Sequence, residues 1–229
     1  RAGDALGESR LIVKVTEADP LFGSLRVDNY SPPSVGSERT GITLAHRNLT
    51  GLADRLSISY DRTTRGGSNV FDFNYQLPVN PMEGTVQLRT VIENNRVLQE
   101  PFDELDIAGE SERYEVSYRQ PLVRSPREEF ALSLGFSHRD GQTLAFDRIP
   151  IGVGANDEGE TSTSVFRFGQ DYVRRDVKGA WALRSQFNIG TGLFDATTND
   201  QLPDSEFLSW LGQTQRVQRV GNDHLLIFQ

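Results

Sequence analysis

The sequence predicts an all-β chain, an antiparallel up-and-down meander of about eleven strands that forms part of a transmembrane β-barrel. Three observations predict it. Large apolar and polar side chains alternate with a period of two along most of the 229 residues. Tight turns and longer loops alternate between these runs. No run approaches the ~20 apolar residues that a transmembrane helix needs, so a membrane protein of this composition crosses with strands.

The runs follow in order. "LIVKVTE" (11–17) precedes Pro20, which breaks it, and residues 1–20 read as a leader separate from the strands of 21–229. Then come "LFGSLRVDNY" (21–30), "RTGITLAHRN" (39–48), "DRLSISYDR" (54–62), "NVFDFNYQL" (69–77) and "GTVQLRTVIEN" (84–94). "ERYEVSYRQPL" (112–122) and "EFALSLGFSHR" (129–139) precede a pair inside "TSTSVFRFGQDYVRRDVKGAWALRSQFNIGTG" (161–192). "SEFLSWLGQTQRVQR" (205–219) and "DHLLIFQ" (223–229) complete the set. No helix longer than a turn or two is expected.

The connections "LTGLA", "PVNPME", "VRSPRE", "RRDVK" and "VGN" are tight and rich in Gly, Pro, Asn and Asp. Between them stand "SPPSVGSE", "TTRGGS", "NRVLQEPFDELDIAGES", "DGQTLAFDRIPIGVGANDEGET" and "TGLFDATTNDQLPD". Only "TTRGGS" is short among these, and it is the weak point of the pattern. Period-two alternation alone fits a soluble sandwich as well as a barrel. Sorting of short turns to one side and long loops to the other favours the barrel.

In a barrel the apolar parity faces lipid. Phe71, Phe73, Val86, Leu88, Leu132, Leu134, Phe166, Phe168, Trp181 and Leu183 belong to it. Tyr30, Tyr60, Tyr118, Tyr172 and Trp210 near run ends suit an interfacial aromatic girdle. The opposite parity carries Arg26, Asp28, Asp72, Arg89, Glu93, Arg113, Glu115, Arg119, Arg167, Asp171 and Arg184, expected to line a wet lumen. Mixed signs on one face pair across strands and stiffen the wall, and they also offer contacts to a passing chain.

Other chemistry is sparse. A net charge of -8 argues against a nucleic-acid partner. Without cysteine there are no disulfides or thiolate metal sites. His46, His138 and His224 stand on different runs with no metal-ligand spacing. "GVGANDEGE" (152–160) lacks the strand-to-helix context of a phosphate loop and the ligand order of a calcium loop. The acids of "PFDELDIAGESE" (101–112) read as a solvated loop, and no serine stands in a nucleophile elbow. No cofactor, metal or enzymatic activity is expected.

In the turn after the second barrel strand, Asn48 and Gly51 supply unusual backbone angles and Asp54 bonds a local N–H. The stretch 11–63 resembles the entry into the barrel of TpsB transporters, the haemolysin secretion/activation proteins of two-partner secretion. The resemblance rests on the "L-x-V-x-V" run at Leu11–Val15 and on Asp28–Asn29 and Thr40–Gly41. It continues through Asn48, Gly51, Leu52, Asp54 and Leu56 across the first turn. The later strands look like the same family's middle strands, in a form similar to cyanobacterial members. The resemblance implies a 16-stranded, monomeric outer-membrane barrel, of which this chain is an incomplete part. It implies periplasmic POTRA domains, with residues 1–20 as the tail of the last one and the link to the barrel. It also implies translocation of an unfolded partner exoprotein, haemolysin- or adhesin-like, through the pore without nucleotide or metal. The family's "RGY" loop motif is absent from this chain, so no functional residue carries over from it. A BamA-type insertase and a soluble β-sandwich binding module are the alternatives.

Overall fold

In the computed structural model, residues 19–146, 149–199, 204–221 and 224–229 are described. The expected run 11–17 and nearly all of the leader 1–20 lie outside them. Each remaining period-two run is a strand: β1 (Leu21–Asp28), β2 (Arg39–Arg47), β3 (Arg55–Thr63), β4 (Ser68–Pro78), β5 (Thr85–Arg96), β6 (Ala108–Arg124) and β7 (Glu128–Ala145). A two-residue β8 (Ile149–Pro150) is followed by β9 (Glu160–Asp176), β10 (Gly179–Thr191), β11 (Leu208–Val220) and β12 (His224–Phe228). Three single 3₁₀ turns, at Pro33–Val35, Phe102–Leu105 and Leu193–Asp195, are the helical content of the described residues.

All strand pairs are antiparallel and join sequence neighbours in one sheet, apart from β8, which lies only on β7 and is bypassed by β9. The tight turns permit hairpins and nothing else. β1 and β12 each pair along one side, so the sheet is open among the described residues.

The sheet stands as a single layer. A sandwich would interdigitate two apolar faces into a core. Here the apolar residues buried among the described ones are Ala131, Ala145, Val165, Ala196 and Pro121, none of them large. Large apolar side chains such as Leu25, Leu134 and Trp210 lie exposed. Nothing in the described chain covers them, and the sandwich alternative falls on that fact.

Several elements differ from the sequence reading in their bounds, and β8 falls inside an expected loop. β6 and β7 run past the expected 112–122 and 129–139 because "AGES" and "DGQTLA" pair with each other, Ala108 opposite Leu144 and Glu112 opposite Asp140. Gly and acids weaken intrinsic strand preference, but a partner strand in register overrides it. Tyr30 lies beyond the end of β1, whereas Tyr60, Tyr118, Tyr172 and Trp210 stay on strands.

The short "TTRGGS" connection has a structural reason. Thr63 is buried at the end of β3, where its Oγ1 donates to the Val35 carbonyl (3.0 Å) and accepts from Ser68 N–H (2.9 Å). Leu98 N–H reaches the Ser34 carbonyl at 2.7 Å. The loops before β2 and after β5 thus meet over this hairpin, and a longer loop would displace them.

Candidate conduit wall

Antiparallel partners share a face, so the pairing register assigns every strand residue to one side of the sheet. All ten residues expected to face lipid fall on one side: Phe73 stands across from Ile58 and Thr90, Leu134 from Tyr118 and Phe168, and Leu183 from Tyr172. All eleven expected lumen charges fall on the other. The register of β5 to β6 sets Arg89 opposite Glu115, and that of β9 to β10 sets Asp171 opposite Arg184. Aromatics mark both margins of the apolar side, Tyr60, Tyr114 and Trp210 toward the long loops and Tyr75, Tyr118, Tyr172 and Trp181 toward the short turns. Near the short turns, the Arg216 guanidinium lies 5.1 Å above the Trp181 ring.

On the polar side most charges are paired. Arg39 grips Asp28 through Nε and Nη2, each at 3.0 Å, and Arg89 grips Asp72 at 3.2 and 2.6 Å. Arg119 meets Glu129 at 2.6 Å, and Arg184 stands 3.7 Å from Asp171. Two pairs reach over an intervening strand. Arg26 on β1 bonds Asp61 on β3 across Gly41, where a Cβ would collide with the Asp61 carboxylate. Arg167 on β9 comes within 3.6 Å of Glu115 on β6 across the small Gly135 and Ser137 of β7. Glycine on the polar parity lets a long side chain cross its own strand.

Glu93 accepts from Asn95 Nδ2 at 2.7 Å. Arg113 has no ion-pair or hydrogen-bond partner among the described residues. Sequence reasoning missed Arg39, Asp61 and Glu129. Asp61 follows from extending the parity of Ser59 by one step, and Arg39 from extending that of Thr43 by two. Glu129 follows from extending the parity of Ser133 on β7 by two steps; the bulge between Pro121 and Val123 lies on β6, where it shifts the register and sets Arg124 opposite Glu129. Pro121 lacks an N–H for the ladder, which is why the irregularity falls there.

The turn 48–54 forms as the sequence requires. Asn48 has φ 65° and its Oδ1 accepts from Ala53 N–H (2.8 Å); Gly51 has φ 84°. Asp54 has no exposed surface, and its Oδ1 accepts from the N–H (2.9 Å) and Oγ1 (2.8 Å) of Thr50. Burial pushes its carboxyl pKa up, but the Thr50 bonds and further hydrogen bonds outweigh this and hold it below the usual carboxylate range.

His138 meets Ser164 Oγ through Nδ1 (2.9 Å) and Asp140 through Nε2 (3.0 Å). Ser164 is fully buried and donates to the Leu193 carbonyl (2.7 Å), so this Ser-His-Asp array anchors a loop and offers no nucleophile to a substrate. No cluster of three His, Cys, Asp or Glu placed to hold a metal occurs among the described residues.

A single-layer antiparallel meander with one apolar, aromatic-edged face and one charged face defines the class of outer-membrane β-barrel walls. The family model for haemolysin secretion/activation protein ShlB/FhaC/HecB matches residues 7–227, and the chain belongs to that family. Among solved structures it is similar to CdiB from Escherichia coli, with TM-score 0.80, 20% identity, and coverage of 91% of this chain and 39% of that one. CdiB from Acinetobacter baumannii gives TM-score 0.58 at 15% identity, covering 86% and 34%. BamA from Haemophilus ducreyi lacking POTRA domains 1–3 gives 0.51 at 13%, covering 88% and 38%. At these identities the likeness is one of fold, and the chain spans well under half of each structure. No curated protein sequence matches the chain.

Proposed function

We propose that the full-length protein is an outer-membrane pore that secretes an unfolded partner exoprotein by two-partner secretion. The observation that carries this is the division of one sheet into a face of exposed apolar side chains and a face of mixed, mostly paired charge. Lipid takes the first and a hydrated lumen the second. Charges held in pairs along a wall leave no strong single site to trap a passing chain. The family fits this reading, and the closer likeness to CdiB than to BamA favours secretion over insertion of clients into the membrane.

The test is to reverse Arg89, Arg167 and Arg184 together to Glu in the full-length protein. Membrane insertion should be retained while secretion or channel conductance changes. Normal secretion with identical conductance would reduce these charges to wall structure.

A further inference from the structure

We infer that the 3₁₀ turn Leu193–Asp195 is a lipid hook, holding the Phe194 ring in the membrane leaflet on the long-loop side, beside β7 and β9. The hook rests on the apolar face being the lipid face, and it adds a loop to that face.

The turn is tied to β9 on both sides of Phe194. Ser164 Oγ donates to the Leu193 carbonyl at 2.7 Å. Thr197 N–H donates to the Ser162 carbonyl and Ser162 N–H to Thr197 Oγ1, both at 2.8 Å. Between these ties the Phe194 ring lies 5.6 Å from the Phe136 ring and 5.8 Å from the His138 ring, centroid to centroid. Both partners share the parity of Leu134 on β7, so Phe194 stands on the apolar side of the wall.

The chain holds the ring there against its own backbone preference. Phe194 has φ 56° and Asp195 φ 55°, a left-handed conformation that bulky side chains rarely adopt. Such strain persists where the surroundings fix it, and it points to a use. Packing within the protein is not that use, because Phe194 remains 69% exposed.

The register gives the level of the ring. Phe136, Phe166, Ile189 and Leu208 form one apolar row across β7, β9, β10 and β11. The next row toward the long loops is polar, with His138, Ser164 and Thr191. Phe194 covers the β7 end of that row and carries the apolar surface one step outward. Tyr114 on β6 and Trp210 on β11 mark the same margin, while β7, β9 and β10 between them have no Tyr or Trp at their long-loop ends. Phe194 brings an aromatic ring into that gap.

Lipid fits this ring better than a protein partner does. Carboxylates begin one row further out, at Glu112 opposite Asp140. With Glu160, Asp195 and Phe194 they help to line a hollow of about 550 Å³. A protein laid over the ring would cover these exposed acids too and strip them of water. Lipid meets the ring from the apolar rows below and leaves the acids wet.

Nitroxide labels on Phe194→Cys, Leu134→Cys and Asp157→Cys variants of the full-length protein in liposomes test the hook. The ratio of oxygen access to nickel-chelate access at position 194 should exceed that at 157 at least threefold and approach that at 134. A ratio equal to that at 157 places the turn in water, and shielding from both reagents places protein over it. Either result overturns the hook. The nitroxide is itself apolar, so benzoylphenylalanine in place of Phe194 gives a second reading. On irradiation it should attach to lipid, and attachment to protein alone overturns the hook. A water-like ratio at 134 would instead remove the lipid reading of the whole apolar face, which separates the two failures.

Discussion

The two faces of this sheet share every backbone hydrogen bond and differ in almost everything else. On one face Phe73, Leu134, Phe168 and Leu183 stand out from the wall with no protein packed over them. On the other, Asp28, Asp72 and Glu115 are each held by an arginine. The ladder supplies the wall, and the alternation of side chains decides what each side of it tolerates. An apolar side chain needs only lipid beside it. A charge needs a partner or water, so most have partners and the exceptions stand out.

The largest expected effect tests the apolar face. Leu134→Arg or Phe168→Arg in the full-length barrel should cost about 2–4 kcal/mol of folding stability in lipid, since no water reaches mid-wall. Urea titration in large unilamellar vesicles measures it, and a loss under about 0.5 kcal/mol would place the site in water.

A smaller effect is expected at the turns. Asn48→Ala removes an acceptor for Ala53 N–H and a residue that tolerates φ 65°, and should cost roughly 1–2 kcal/mol. Equal stability of the two proteins would show that the turn does not depend on Asn48.

Asp54 in the same turn sets a pH dependence. Its pKa is lowered in the folded state, so its contribution is fully present above the ordinary carboxylate value and is lost as pH falls through the lower folded value. Asp54→Asn should remove that part of the acid loss, which a stability profile between pH 5 and about 2 would show.

The smallest effect belongs to the polar face. A double-mutant cycle on Arg89→Gln and Asp72→Asn should give a coupling of about 0.2–1 kcal/mol, because both side chains are partly hydrated. A coupling well above that range would mean a drier lumen than the pairs imply.

The two faces were legible in the sequence because parity is a local property: Phe71, Phe73 and Tyr75 need no knowledge of their neighbours to be grouped. The turn at Asn48 and Gly51 was legible because positive φ restricts residue choice. What escaped depends on other strands. Gly109 and Gly141 read as loop until Thr143 and Ser111 are placed opposite them. The pair Arg26–Asp61 spans a strand and becomes visible only when Gly41 is seen between its members. Glu129 keeps the parity of Ser133 on its own strand, and its bond to Arg119 becomes visible only when the register sets Arg119 opposite Ser133.

Site-directed spin labelling of the full-length protein in liposomes tests the division of the wall most directly. Labels at Leu88, Leu134, Phe168 and Leu183, compared with labels at Gln87, Ser133, Gly169 and Gln186, read access to oxygen against access to a nickel chelate. The first set should favour oxygen and the second the chelate, alternating residue by residue along β5, β7, β9 and β10. Equal access at both parities, or chelate access at Leu134 and Phe168, would contradict a wall with lipid on one side and a hydrated lumen on the other.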